Sequence, residues 1–117
     1  MLDKRSVTPN VGGMSRKRQP RYPLATIKAA FGDPARMNRT LTAAEGAEDL
    51  DMDEQAVVDI IARFTGRDFE KSMPSDINSA IWQDVYKPSV AGRELYVKFT
   101  LDTRGELLLI SFKENRP

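Results

Sequence analysis

Apolar residues recur at helical spacing up to Phe64 and at strand spacing after Asp68, so the hydrophobic pattern divides the chain into a helical part and a strand part. In "PLATIKAAFG", Pro23 stands at a first helical turn, Leu24, Ile27 and Phe31 share one face, and Gly32 marks the end. "TLTAAEGAEDL" follows, with Thr42 and Glu45 at the spacing of a capping box, although an interior glycine such as Gly46 costs a helix about 1 kcal/mol. "DMDEQAVVDIIARFTG" carries the clearest helical stripe, Val57, Ile61 and Phe64. Asp51 can cap it, Asp53 and Glu54 face the positive end of its dipole, and Gly66 stops it.

The strand part begins with "FEKSM", a short candidate ended by Pro74. "RELYVKFTL" alternates strictly, with Leu95, Val97, Phe99 and Leu101 on one face and Glu94, Tyr96, Lys98 and Thr100 on the other. "ELLLISFKE" closes the pattern, and "DTRG" between the two has hairpin-turn composition, which predicts antiparallel neighbours. Helices followed by an antiparallel meander predict an α+β domain, N-terminal helices packed on a small sheet. One strand does not fit a simple half-buried pattern. "IWQDVYKP" is rich in strand formers, yet Gln83 and Asp84 place a polar group on each of its faces.

Composition narrows the chemistry. The chain has 117 residues, no Cys and no His, which excludes Cys/His zinc sites, Ser-His-Asp triads and Cys-His dyads, and leaves Asp, Glu, Lys, Arg and Tyr for any catalysis. The longest unbroken apolar run is "LLLI", far short of the roughly 20 residues a membrane-spanning helix needs. Neither a membrane location nor a secretory leader is expected, and the chain reads as cytoplasmic. The formal charge of +1 is unevenly placed. Residues 1–22 hold six bases against one acid and no apolar period, so a flexible basic arm is expected there, either a solvated tail or an aid to nucleic-acid binding, with the folded domain over 23–117. Seven acids and no base lie between Glu45 and Asp59, a stretch that repels RNA.

If the apolar face of "RELYVKFTL" meets the helices, Tyr96 and Lys98 turn together to the opposite side. Lys113 ends the next strand, Gln83 lies on the mixed strand and Lys71 in the short one. Ammonium groups neutralise phosphate while amide and phenol groups give directional hydrogen bonds, so such a face suits RNA. It also suits RNA cleavage without histidine, in which a 2′-hydroxyl attacks phosphorus and needs a base, cations for the phosphorane and an acid for the departing oxygen. Phenols and ammoniums titrate near 10 in isolation, and clustering positive charge tunes such groups toward neutrality. Read from pattern alone, these residues are equally an ordinary solvated strand face. Trp82 and Tyr86 either stack on bases or pack in the core.

The motifs "DFEKSM", "IWQDVYKP", "ELYVKFTL" and "LLLISFKE", in this order and spacing, resemble the MqsR family, toxins of bacterial type II toxin-antitoxin pairs; "LATIKAAF" and "DLDMDEQAVVDIIARF" extend the likeness to about residues 22–115. The resemblance implies a RelE-like ribonuclease domain and metal-independent endoribonucleolytic cleavage of mRNA at short GC-containing sites, with no cofactor. It implies catalytic roles for Lys71, Gln83, Tyr96 and Lys113, with Lys98, Tyr86 and Lys87 as secondary RNA-binding residues. It also implies an MqsA-like antitoxin with a zinc-binding domain and a helix-turn-helix domain, through which alone the toxin would meet DNA. "DINSA", residues 76–80, stands where family members carry a histidine. Gln83 is then expected to lie on the floor of an RNA cleft, and Asp84 to bond either backbone or an arginine beneath the sheet. A non-catalytic RNA- or protein-binding module and a co-regulator acting through its antitoxin are the alternatives.

Overall fold

The computed structural model describes residues 19–116. Three α-helices, α1 (Leu24–Ala30), α2 (Leu41–Asp49) and α3 (Glu54–Ala62), precede five strands, β1 (Phe69–Pro74), β2 (Trp82–Tyr86), β3 (Ser89–Val90), β4 (Arg93–Leu101) and β5 (Leu107–Glu114). All strand pairings are antiparallel. β4 is central: β2 and the short β3 flank one side, β5 the other, and β1 extends the sheet beyond β2. This is the expected α+β arrangement, and it is compatible with a RelE-like toxin.

The helices cover one face of the sheet. Ile27, Phe31, Val57, Ile61 and Phe64 meet Leu95, Val97, Phe99, Leu109 and Phe112, all at most 1% exposed. Phe64 stacks on Tyr86 with ring centroids 4.9 Å apart, and Phe31 lies 5.3 Å from Phe99. The helix starts are set by side chains slightly later or earlier than the sequence pattern suggests. Thr40, not Thr42, caps α2 by accepting from the Ala43 amide. Asp53, not Asp51, caps α3 by accepting from Ala56, while Asp51 takes a left-handed turn conformation at φ 58°.

Two bulges decide which way key side chains face. Phe69 opposes Tyr86 and Lys71 opposes Val85, so Glu70 is the extra residue in β1. The bulge sends Phe69 to the core and Lys71 to the open face, although plain alternation puts both on one side. In β5, Lys98 opposes Ser111 and Phe99 opposes Leu109, leaving Ile110 unopposed. That irregularity lets Leu109 and Phe112, three apart in sequence, both enter the core.

The outer edge of β5 is covered. Residues 38–40 bond it through Thr40 N to Leu109 O and Leu109 N to Asn38 O, both 3.0 Å. α2 then runs so close that a β-carbon added to Gly46 would sit 1.9 Å from the Phe112 carbonyl oxygen. Gly46 therefore sacrifices helix propensity for contact with the backbone of β5. Beyond β4, Asp102 organises the turn by accepting from the Arg104 and Glu106 amides and from Asn38. These bonds, the Glu106 amide first, hold its carboxyl well below the usual range.

Asp84 faces the helices, fully buried, and accepts hydrogen bonds from the backbone amides of Arg21, at 3.0 Å, and Tyr22, at 2.9 Å. Backbone, rather than an arginine side chain, is thus its partner. The Tyr22 hydroxyl donates to the Trp82 carbonyl at 2.6 Å, and its ring joins the core. Most of the expected basic arm, residues 1–18, lies outside the described residues. Its last residue by the sequence boundary, Tyr22, packs with the domain.

Candidate active site

The face of the sheet turned away from the helices is built by alternation. Reading across the strands, Lys71 in β1 opposes Val85 in β2, Val85 opposes Lys98 in β4, and Lys98 opposes Ser111 in β5. One step toward one end of the sheet, Tyr96 opposes Lys113; toward the other end, Met73 opposes Gln83. Lys71, Gln83, Tyr96 and Lys113 therefore share one face, and Lys98 stands among them.

They are not equally close. Lys98 Nζ lies 5.7 Å and Lys113 Nζ 5.5 Å from the centre of the Tyr96 ring, a cation–π pair on one phenol. Lys71 is two strands from Lys98, about 10 Å between Cα positions at the usual strand spacing. Gln83 is farther still from Tyr96, roughly 14 Å by strand rise and spacing. The face is thus a cluster of Tyr96, Lys98 and Lys113 with Lys71 and Gln83 along its flank.

Val85 forms the floor. It is fully buried despite lying on the open face, between Lys71 and Lys98 in the register. The aliphatic stems of lysines suit the covering of such a residue, because they can lie over it while leaving their ammonium groups in water. Gln83, Tyr96, Lys71 and Lys98 are half-buried and Lys113 is exposed.

Among the described residues Lys71, Lys98 and Lys113 make no ion pair, whereas Lys87 lies 3.8 Å from Glu70. The acidic helices α2 and α3 lie off this face, α2 along the edge beyond Lys113. A positive floor bordered by a negative edge confines a polyanion to the sheet.

Two sequence expectations change. Tyr86 is not an RNA-binding residue: it points to the helix side, is fully buried, and packs against Phe64, Phe69 and Phe99. The alternation that turns Gln83 outward turns Tyr86 inward. Burial, then the Asp84 and Asp68 carboxylates, push its phenol far above the ordinary tyrosine value, and its hydroxyl has no hydrogen-bond partner among the described residues. Lys98, a secondary residue by sequence, is one of two cations within 6 Å of the Tyr96 ring among the described residues. Strict alternation in "RELYVKFTL" already carries that signal.

In this small α+β domain the open sheet face gathers lysines, without ion-pair partners among the described residues, around a half-buried tyrosine, an arrangement with the charge to hold a polyanion and the groups for acid–base chemistry. The family model described as "Motility quorum-sensing regulator, toxin of MqsA" matches residues 19–114. The mRNA interferase toxin MqsR of Escherichia coli (strain K12) is 32% identical over 98 residues, covering 84% of this chain and 97% of the relative. The chain belongs to the MqsR toxin family.

Proposed function

We propose that this chain is a toxin endoribonuclease that cleaves mRNA on the open face of its sheet and so arrests translation and growth. One observation carries the reading: three ammonium groups without carboxylate partners among the described residues share a face with Tyr96, and two of them lie within 6 Å of its ring. The family and the relative named for mRNA cleavage point the same way.

In this reading the ribose 2′-hydroxyl attacks the adjacent phosphorus as Tyr96 takes its proton. The P–O5′ bond breaks, a lysine ammonium donates a proton to the departing 5′-oxygen, and the products are a 2′,3′-cyclic phosphate and a 5′-hydroxyl. Lys98 and Lys113 beside Tyr96 balance the negative charge of the phosphorane. Lys71 holds the same or the neighbouring phosphate from across Val85, and the Gln83 carboxamide positions the strand. No metal or cofactor is needed for these steps. Cleavage at short GC-containing sites is the preference expected of a family member.

An MqsA-like, zinc-binding, helix-turn-helix antitoxin is the partner this reading names, with DNA contacted only through it. An mRNA substrate puts the site of action in the cytoplasm. The test is incubation of rigorously purified protein with an end-labelled transcript in EDTA. New 5′-hydroxyl ends are expected; a mobility shift of intact RNA would instead identify a binding module. Expression should arrest growth, and co-expression of the antitoxin should relieve it.

A further inference from the structure

At the end of the sheet beside Tyr96, the β4–β5 ladder runs past its assigned strands. The Asn115 amide donates to the Glu94 carbonyl at 2.8 Å and the Asn115 side chain to the Glu94 carboxylate at 2.6 Å. Continuing the register in which Leu95 opposes Glu114 puts Arg93 opposite Arg116. Like charges facing each other across a ladder are destabilising unless an anion lies between them. Both arginines line one cavity of about 240 Å³, and Lys113 lines it too. Two carboxylates share the cavity: Glu114, which accepts from Arg116 at 3.1 Å, and Asp49 of α2. Three cations against two acids leave positive charge, and Arg93 has no ion-pair partner among the described residues.

The position matters as much as the charge. Lys113 both lines this cavity and reaches to 5.5 Å from the Tyr96 ring, so one side chain joins the cavity to the proposed reacting centre. Gly46, Asp49 and Leu50 at the end of α2 form the cavity's other wall, so it lies where the edge of the sheet meets that helix. We propose that this cavity, between Arg93 and Arg116, is a subsite for a backbone phosphate flanking the cleaved bond. It rests on the reading of Tyr96 and Lys113 as the reacting centre. An arginine pair suits a phosphate because each guanidinium offers it a planar, two-pronged donor.

The test compares single-turnover cleavage of a transcript fragment of about twelve nucleotides, a length within the span of single-strand binding sites, with that of the shortest RNA the wild type still cleaves. Arg93→Ala, Arg116→Ala and the double variant are measured across a salt series, with Arg93→Lys as the conservative control. For the double variant, half-saturation on the long RNA should rise about five- to tenfold with the cleavage step unchanged, and the shortest RNA should be unaffected. The salt slope of binding to single-stranded RNA should fall by about 0.7 for each phosphate the variant no longer neutralises. Arg93→Lys should recover most of the effect. Equal losses on both RNAs, no loss on either, or an unaltered salt slope would overturn the subsite while leaving the ribonuclease reading intact. A wild type that cleaves no RNA of any length overturns that reading and the subsite with it.

Discussion

Replacing Asp84 by alanine removes a carboxylate that is fully buried and holds two backbone amides, Arg21 at 3.0 Å and Tyr22 at 2.9 Å. Hydrogen bonds to a charged group contribute about 1.5–3 kcal/mol each, and the Arg21 bond, only part-buried, belongs at the low end. Relief of the buried charge offsets some of the sum, so Asp84→Ala should cost about 3 kcal/mol. In a domain near this size each kcal/mol moves the melting temperature by about 4–8 °C, which predicts a fall of roughly 15 °C. Urea unfolding should show a lower midpoint at an unchanged slope. Removing residues 1–22 deletes the same two amides, so Asp84→Ala should cost at least about 1 kcal/mol less in that truncated chain than in the full one. A full-length Asp84→Ala protein within about 0.5 kcal/mol of wild type, the scatter of surface substitutions, would refute the anchoring role, as would additive effects in the truncated chain.

Two further substitutions test the packing. Gly46→Ala gains about 1 kcal/mol of helix propensity but drives a β-carbon into the Phe112 carbonyl oxygen, so a net loss of about 2 kcal/mol is expected by calorimetry, with weakened cleavage because Lys113 is the next residue of β5; a variant melting at or above wild type would show that α2 does not bear on β5. Tyr86→Phe removes a buried hydroxyl that has no partner among the described residues, and should be neutral or stabilising by about 1 kcal/mol. Because the Tyr86 phenol titrates higher folded than unfolded, its contribution is intact below about pH 10 and lost as pH rises toward the folded value. The variant should therefore unfold less steeply in alkali, and an unchanged alkaline limb would contradict the burial argument.

Much of the fold and site is legible in the sequence because β4 alternates without interruption. Its period alone assigns Leu95, Val97 and Phe99 to the core and Tyr96 and Lys98 to the open face. The bulges at Glu70 and Ile110 are not legible, because a bulge depends on the partner strand, and nothing local in "FEKSM" says that Phe69 and Lys71 part company. Gly46 reads as a weakness in a helix, since its reason is the carbonyl of Phe112, far along the chain. The polar pair in β2 is the most informative misfit. Gln83 and Asp84 serve opposite faces, one beside the lysines and the other fastening the entry of the chain beneath the sheet. Tyr86 suits RNA by its chemistry, yet the same alternation that exposes Gln83 hides it. The cavity between Arg93 and Arg116 joins residues that face each other at one end of the β4–β5 ladder, whose continuation past β5 no local pattern in the sequence marks.

The most direct test of the central claim is the single-turnover rate of RNA cleavage by Tyr96→Phe, which deletes one hydroxyl from a half-buried ring and leaves Lys98 and Lys113 in place. If that hydroxyl moves the proton, the rate falls by about 100-fold or more while RNA binding and melting temperature hold. A correctly folded variant that cleaves at the wild-type rate would place the chemistry elsewhere.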